Sequence, residues 1–320
     1  MWTLKLRMYL LVAILFAVVY AVVSVISYSL GVGNFYFYFI LSLVMMFAQY
    51  MLGPKIVEWS MRVKYVKENE YPRLHQMVRE LAMIAKIPVP KIGISQVSVP
   101  NAFAFGRSVR DGRICVTEGI LNLLNEEEMR AVLGHEMSHI KNRDMLIIML
   151  LSVIPMILYR IAWNFFFFGG RRERNSGNAA IVGLLAFLFY FVTNLLVLYA
   201  SRIREYFADE GSVKLKNRPE WLASALYKLV YGSARTPQEE LRNVEGMKAF
   251  FANDPSRALG DLKDLQALDI DRSGTISSDE LALLQTKRVR VGFSDKLFEL
   301  LSTHPNMLKR IKRLSELGHA

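Results

Sequence analysis

The chain has 320 residues, 52% of them apolar, and a formal net charge of +11. A single cysteine, Cys115, excludes an internal disulfide and suits a reducing compartment. The positive charge fits an anionic membrane surface. No aromatic-basic recognition motif accompanies it, so nucleic acid is not an expected partner.

No residue from Met8 to Pro54 is charged. About 20 residues cross a bilayer, so this run predicts two spans, about Met8–Leu30 and Phe35–Leu52, joined at the Gly31–Asn34 turn. Residues 1–54 are thus expected to form a transmembrane hairpin. Its first arm reads as a retained anchor rather than a cleaved signal, because no small-residue cleavage site precedes a soluble chain.

Residues 55–144 then read as the first half of a catalytic domain, so named for the motif near its end. Glu70–Ala85 is an amphipathic helix with Leu74, Met77, Val78, Leu81 and Ile84 on one face. Short strands follow at Lys91–Ser95, Ala102–Phe105 and Arg113–Val116. Cys115 lies in the last of these and reads as a structural thiol. Asn101–Phe105 is a candidate edge strand, which an extended substrate peptide can lengthen; an ordinary sheet strand has the same pattern.

Next comes His135-Glu136-Met137-Ser138-His139. Asn125 before Glu126, Glu127 and Glu128 marks a helix start, and Met129, Val132, Leu133 and Ile140 continue at helical spacing. Histidines four apart on a helix project from one face, where both rings can reach one Zn²⁺. The glutamate between them can take a proton from water at the metal. A structural histidine pair is the plain alternative. A third histidine at the metzincin position is absent, since Asn142 and Met145 occupy that register. Glu205 in Glu205-Tyr206-Phe207-Ala208-Asp209 is the better candidate ligand, with Asp209 four residues on to hold a ligating imidazole by its second nitrogen. By spacing alone the same two acids also read as a solvated pair.

Residues 145–201 are expected to form a second membrane hairpin. Met145–Tyr159 and Asn175–Ser201 are uncharged, but Arg160 interrupts the first arm, and 15 residues at about 1.5 Å each fall short of a roughly 30 Å core. A re-entrant hairpin is the rival reading. Because His139 and Glu205 must meet at one metal, the hairpin has to leave and return on one side, within about 10 Å of the membrane face. Lys5, Arg7, Lys55, Arg62, Lys64 and Lys67 flank the first hairpin and put the catalytic segments in the cytoplasm. Arg171, Arg172 and Arg174 in the third loop oppose that orientation.

Residues 202–320 complete the catalytic domain, with helices predicted at Trp221–Val230, Glu239–Phe251 and Asn306–Leu317. An insertion at about 261–285 holds a twelve-residue calcium-loop pattern. Asp269, Asp271, Ser273, Thr275, Ser277 and Glu280 stand at its ligand positions, with Gly274 at the sixth place and apolar Ile276 at the eighth. A polar turn between helices is the alternative.

Four stretches in order resemble an HtpX-type membrane zinc peptidase, a relative of the CAAX prenyl proteases. They are Asn101–Gly106, Val132–His139, Ser201–Asp209, and His304-Pro305 with Arg310. The likeness covers most of the chain. It implies His135, His139 and Glu205 as zinc ligands, Glu136 as catalytic base, and His304 or Arg310 as oxyanion or substrate contacts. It also implies stress-linked quality control acting on membrane or misfolded proteins.

The expected fold is a mostly α integral membrane protein with an α+β zinc-peptidase domain, a small sheet and a His-Glu-x-x-His helix. The expected function is a zinc metalloendopeptidase, multi-pass in the cell membrane, with Zn²⁺ and a candidate Ca²⁺ as cofactors and the lipid bilayer as partner. A calcium-responsive scaffold with an inactive zinc site is opposed by the intact Glu136. A transporter is opposed by the absence of acids within the long spans.

Overall fold

A computed structural model describes residues 35–144, 176–237, 258–286 and 298–317, with scattered positions between them. The expected span Met8–Leu30, most of the first arm of the second hairpin and most of Glu239–Phe251 lie outside the described residues.

The chain divides into two compact units. One comprises residues 1–52 and 146–203, the other residues 53–145 and 204–320. In the first, helix α1 (Phe35–Ser60) contains the expected second span and continues past Pro54 into the second unit. Among the described residues, one helix is long and apolar enough to cross a membrane, Ile181–Lys214. It belongs to α5 (Ser176–Lys214). Leu151, Val197 and Ala200 form a small apolar cluster in this unit.

The second unit holds a four-stranded sheet, β1 (Val63–Tyr65), β2 (Lys91–Ser95), β3 (Ala102–Phe105) and β4 (Arg113–Thr117), in the order β1-β2-β4-β3. β2 and β4 run parallel, while β1 pairs antiparallel with β2 and β3 antiparallel with β4. β3 is therefore an edge strand. All residues of β3 and β4 are buried, as expected for strands covered on both faces. β1 is an addition to the expected strands; at three residues it is too short to show a period.

Helices α2 (Pro72–Ala85), α3 (Glu118–Leu121), α4 (Glu126–Lys141), α6 (Pro219–Arg235), α7 (Ala258–Gln266), α8 (Ser278–Thr286) and α9 (Met307–Leu317) complete the unit. α4 starts where it does because Asn125 and Glu128 cap each other: Asn125 Oδ1 accepts from the Glu128 amide at 2.8 Å, and Glu128 Oε2 from the Asn125 amide at 2.9 Å. Glu128 also accepts from Ser224 and Lys228 of α6, which ties the helix start to its neighbour. Val132, Leu133, Met137 and Ile140 of α4 sit in a core shared with α2, α6, α8 and α9.

Candidate metal centre

Two helices bring their second-unit residues together at the site. α4 supplies His135, Glu136 and His139, and the last turns of α5 supply Arg204, Glu205 and Asp209. The helices meet where glycine faces a small side chain. A Cβ on Gly211 would collide with Ser138, and one on Gly134 with Ser212 and Asn217. Ser212 Oγ donates to the Ala131 carbonyl at 2.6 Å, which fixes the register of the crossing. This close approach lets a short carboxylate on one helix reach the histidines of the other.

The two Nε2 atoms lie 3.1 Å apart. Glu205 Oε2 is 3.4 Å from His135 Nε2, and Oε1 is 3.5 Å from His139 Nε2. Ligand atoms about 2.0–2.1 Å from a tetrahedral zinc sit about 3.3 Å from one another, so all three separations match a shared ion. Glu205 Oε2 is buried and makes no hydrogen bond of ordinary geometry, with His135 Nε2 at 3.4 Å and Arg310 Nη1 at 3.3 Å as its polar neighbours. His135, His139 and Glu205 thus have the donor set, spacing and burial to hold a metal. Glu136 is 4% exposed beside them, and burial pushes its carboxyl above the usual carboxylate range.

Behind the ligands each histidine meets a carboxylate and each carboxylate an arginine. His135 Nδ1 lies 2.9 Å from Asp209 Oδ1, and Arg310 grips Asp209 through Nε at 3.0 Å and Nη2 at 2.6 Å. Burial opposes a charged His135 ring, but Asp209 and then Glu205 outweigh it and raise its pKa to about 10. His139 Nδ1 lies 2.6 Å from Asp144 Oδ2, with Arg204 Nε 3.2 Å from Oδ1. Asp144 and Arg204 were not expected from the sequence. The signal available was an acid one turn past His139 and a base adjoining Glu205, neither of which differs locally from surface charge.

Arg310 is fully buried, and its Nη1 lies 3.3 Å from Glu205 Oε2. It stands at the back of the ligand set, bound to two carboxylates. His304 is buried too, and its Nδ1 is 2.9 Å from Thr303 Oγ1.

In the second candidate site, carboxylate oxygens of Asp269, Asp271 and Glu280 lie within 4.8 Å of one another. Gly274 turns the loop at φ +79°, and Asp269 accepts from the Ser273 and Gly274 amides. Ser273 Oγ is 2.9 Å from Thr275 Oγ1, and Ser277 Oγ donates to Glu280 Oε2 at 2.9 Å. Ile276, Leu281 and Leu284 join the core.

The chain matches the model of peptidase family M48 over residues 68–318. It belongs to that family. A protease HtpX homolog of Methanothermobacter thermautotrophicus is 52% identical over 229 residues, covering 72% of this chain and 86% of that protein. One of Thermococcus sibiricus is 34% identical over 322 residues, covering 98% and 97%. The crystal structure of S. mikatae Ste24p aligns at a TM-score of 0.49 with 16% identity, over 98% of this chain and 66% of that one. The matched range runs across His135, His139 and Glu205.

Proposed function

We propose that this M48 peptidase is an integral-membrane zinc metalloendopeptidase that hydrolyses membrane or misfolded proteins close to the cytoplasmic face. The observation that carries the reading is the triangle of His135 Nε2, His139 Nε2 and Glu205 at zinc-sharing distances, with Glu136 buried beside it. Bound there, zinc polarises a scissile carbonyl and acidifies water. Glu136 takes the proton from the attacking water and passes it to the leaving nitrogen. Arg310, committed to Asp209 and Glu205, holds the ligand frame, which leaves His304 to donate to the carbonyl oxygen. β3, at the edge of the sheet among the described residues, suits an extended peptide. Ile181–Lys214 supports a membrane site, because one helix carries both the apolar stretch and Glu205.

The same reading assigns Ca²⁺ to the Asp269–Glu280 loop as a modulator. Among the described residues no lysine or arginine pairs with its three carboxylates. Lys312 of α9 donates to the Leu284 and Gln285 carbonyls at the end of α8, and Arg310 stands on the same helix, so loop and metal centre share an element.

The test is single-turnover cleavage of an unfolded membrane-protein substrate by the purified chain in detergent. Cleavage should vanish with a zinc chelator and return with Zn²⁺. Cleavage that survives complete zinc removal overturns the assignment.

A further inference from the structure

His139 meets a carboxylate at each nitrogen, Glu205 of α5 at one and Asp144, which follows α4, at the other. Glu205 Oε1 faces its Nε2 at 3.5 Å, while Arg204, the preceding residue, reaches Asp144, whose Oδ2 lies 2.6 Å from Nδ1. Asp144 is 3% and Arg204 7% exposed, so both charges are out of water. A buried carboxylate or guanidinium alone is costly, and each here offsets the other. The turn that delivers Asp144 is itself unfavourable: Arg143 sits at φ +57°, a left-handed conformation that non-glycine residues adopt at a cost. Without that turn the chain would not bring Asp144 back onto the ring it has just passed. This set shares no residue with His135, Asp209 and Arg310.

We propose that Asp144 and Arg204 form a positioning pair for His139. Asp144 accepts the Nδ1 proton, which leaves the Nε2 lone pair for the metal and fixes the ring plane. Arg204, with Nε 3.2 Å from Oδ1, holds Asp144 in place. The inference rests on reading His135, His139 and Glu205 as zinc ligands. An ion pair that merely fastened the end of α4 to α5 would stabilise the chain but leave zinc affinity alone.

The experiment measures zinc affinity by chelator competition on the full chain in detergent, together with the visible spectrum of the Co²⁺-loaded protein and the melting temperature of the metal-free protein. Asp144→Asn should weaken zinc binding about 10–100-fold, the range for losing such a partner, and shift the cobalt bands. Arg204→Gln should weaken it less, Arg204→Lys should restore most of the loss, and the double variant Asp144→Asn/Arg204→Gln should be no worse than Asp144→Asn alone. The pair is overturned if Asp144→Asn binds zinc within about twofold of the parent with unmoved cobalt bands, or if the two costs add. Should Asp144→Asn fail to fold, the Arg204 variants decide: equal affinity in Arg204→Gln and Arg204→Lys overturns the proposal. A separate control guards the premise, since unchanged zinc affinity in His139→Ala would remove the metal site itself rather than the pair.

Discussion

The metal centre and the Asp269–Glu280 loop balance their charge in opposite ways. At the centre, acids and bases come from three helices, and buried Asp209 and Asp144 each meet an arginine. The loop draws its three carboxylates from twelve consecutive residues, and among the described residues no basic side chain pairs with them. The first site is therefore pre-organised by tertiary contacts before any ion arrives. The second, among the described residues, gathers like charges that a cation bound as proposed would neutralise. Loss of zinc should cost chemistry while the frame stays in place, whereas loss of calcium should cost local order.

The largest expected effect separates ligand from base. Glu136→Gln should lower cleavage about 10²–10⁴-fold while elemental analysis finds zinc content unchanged. A fall in zinc content would place Glu136 among the ligands and blur the division of labour. Next, Glu205→Ala should reduce zinc affinity more than Asp209→Ala, whose loss should be about 10–100-fold, both read by chelator competition. Equal losses would mean that Glu205 only supports a histidine.

The close helix crossing gives a geometric test. Gly211→Ala must push Ser138 away and should weaken zinc binding while destabilising the fold by about 1–3 kcal/mol, the range for overpacking. A variant with parental affinity and stability would show that α4 and α5 tolerate a wider gap. For pH, the His135 pKa of about 10 in the metal-free protein lies above its unfolded value of about 6.5. Its stabilising proton is fully present below about pH 6.5 and is lost as pH rises through about 10. Melting temperature should fall across that window in the metal-free protein but not in the zinc-loaded one, where the metal replaces the proton. Parallel profiles would contradict this.

The smallest effect belongs to the loop. With affinity at the weak end, roughly 10⁻⁴–10⁻³ M, Ca²⁺ at ten times Kd should stabilise the parent by about 1.4 kcal/mol. Glu280→Gln should remove most of that, as read by thermal melting and calorimetry. No calcium uptake by either protein would reduce the loop to a capped turn.

What was legible in the sequence follows how locally each feature is encoded. His135, Glu136 and His139 lie within two helical turns, and the Asn125 cap makes the helix start readable. β2 and β3 fall at their predicted limits because turn residues bracket short apolar runs. Asp144 and Arg204 were hidden because their pairing depends on the left-handed turn at Arg143 and on the crossing at Gly211, which no periodicity records. Arg310 was named only through the family resemblance, as an oxyanion or substrate contact, but its hold on Asp209 spans about a hundred residues. Only packing of α9 against α6 and the site could have shown it. The second span was expected to end at about Leu52, yet α1 runs on through Pro54 to Ser60.

Cys115, the chain's one thiol, is fully buried in β4 between β2 and β3, and burial pushes its pKa up. A thiol reagent meets neither an accessible sulfur nor much thiolate until the sheet opens. The labelling rate is therefore a clock on transient opening of the sheet beneath the His135 helix. It needs no engineered probe and no separation of the chain from detergent. Each metal ion or substrate peptide that tightens this unit should slow it, so binding can be followed on a protein whose chemistry has been silenced.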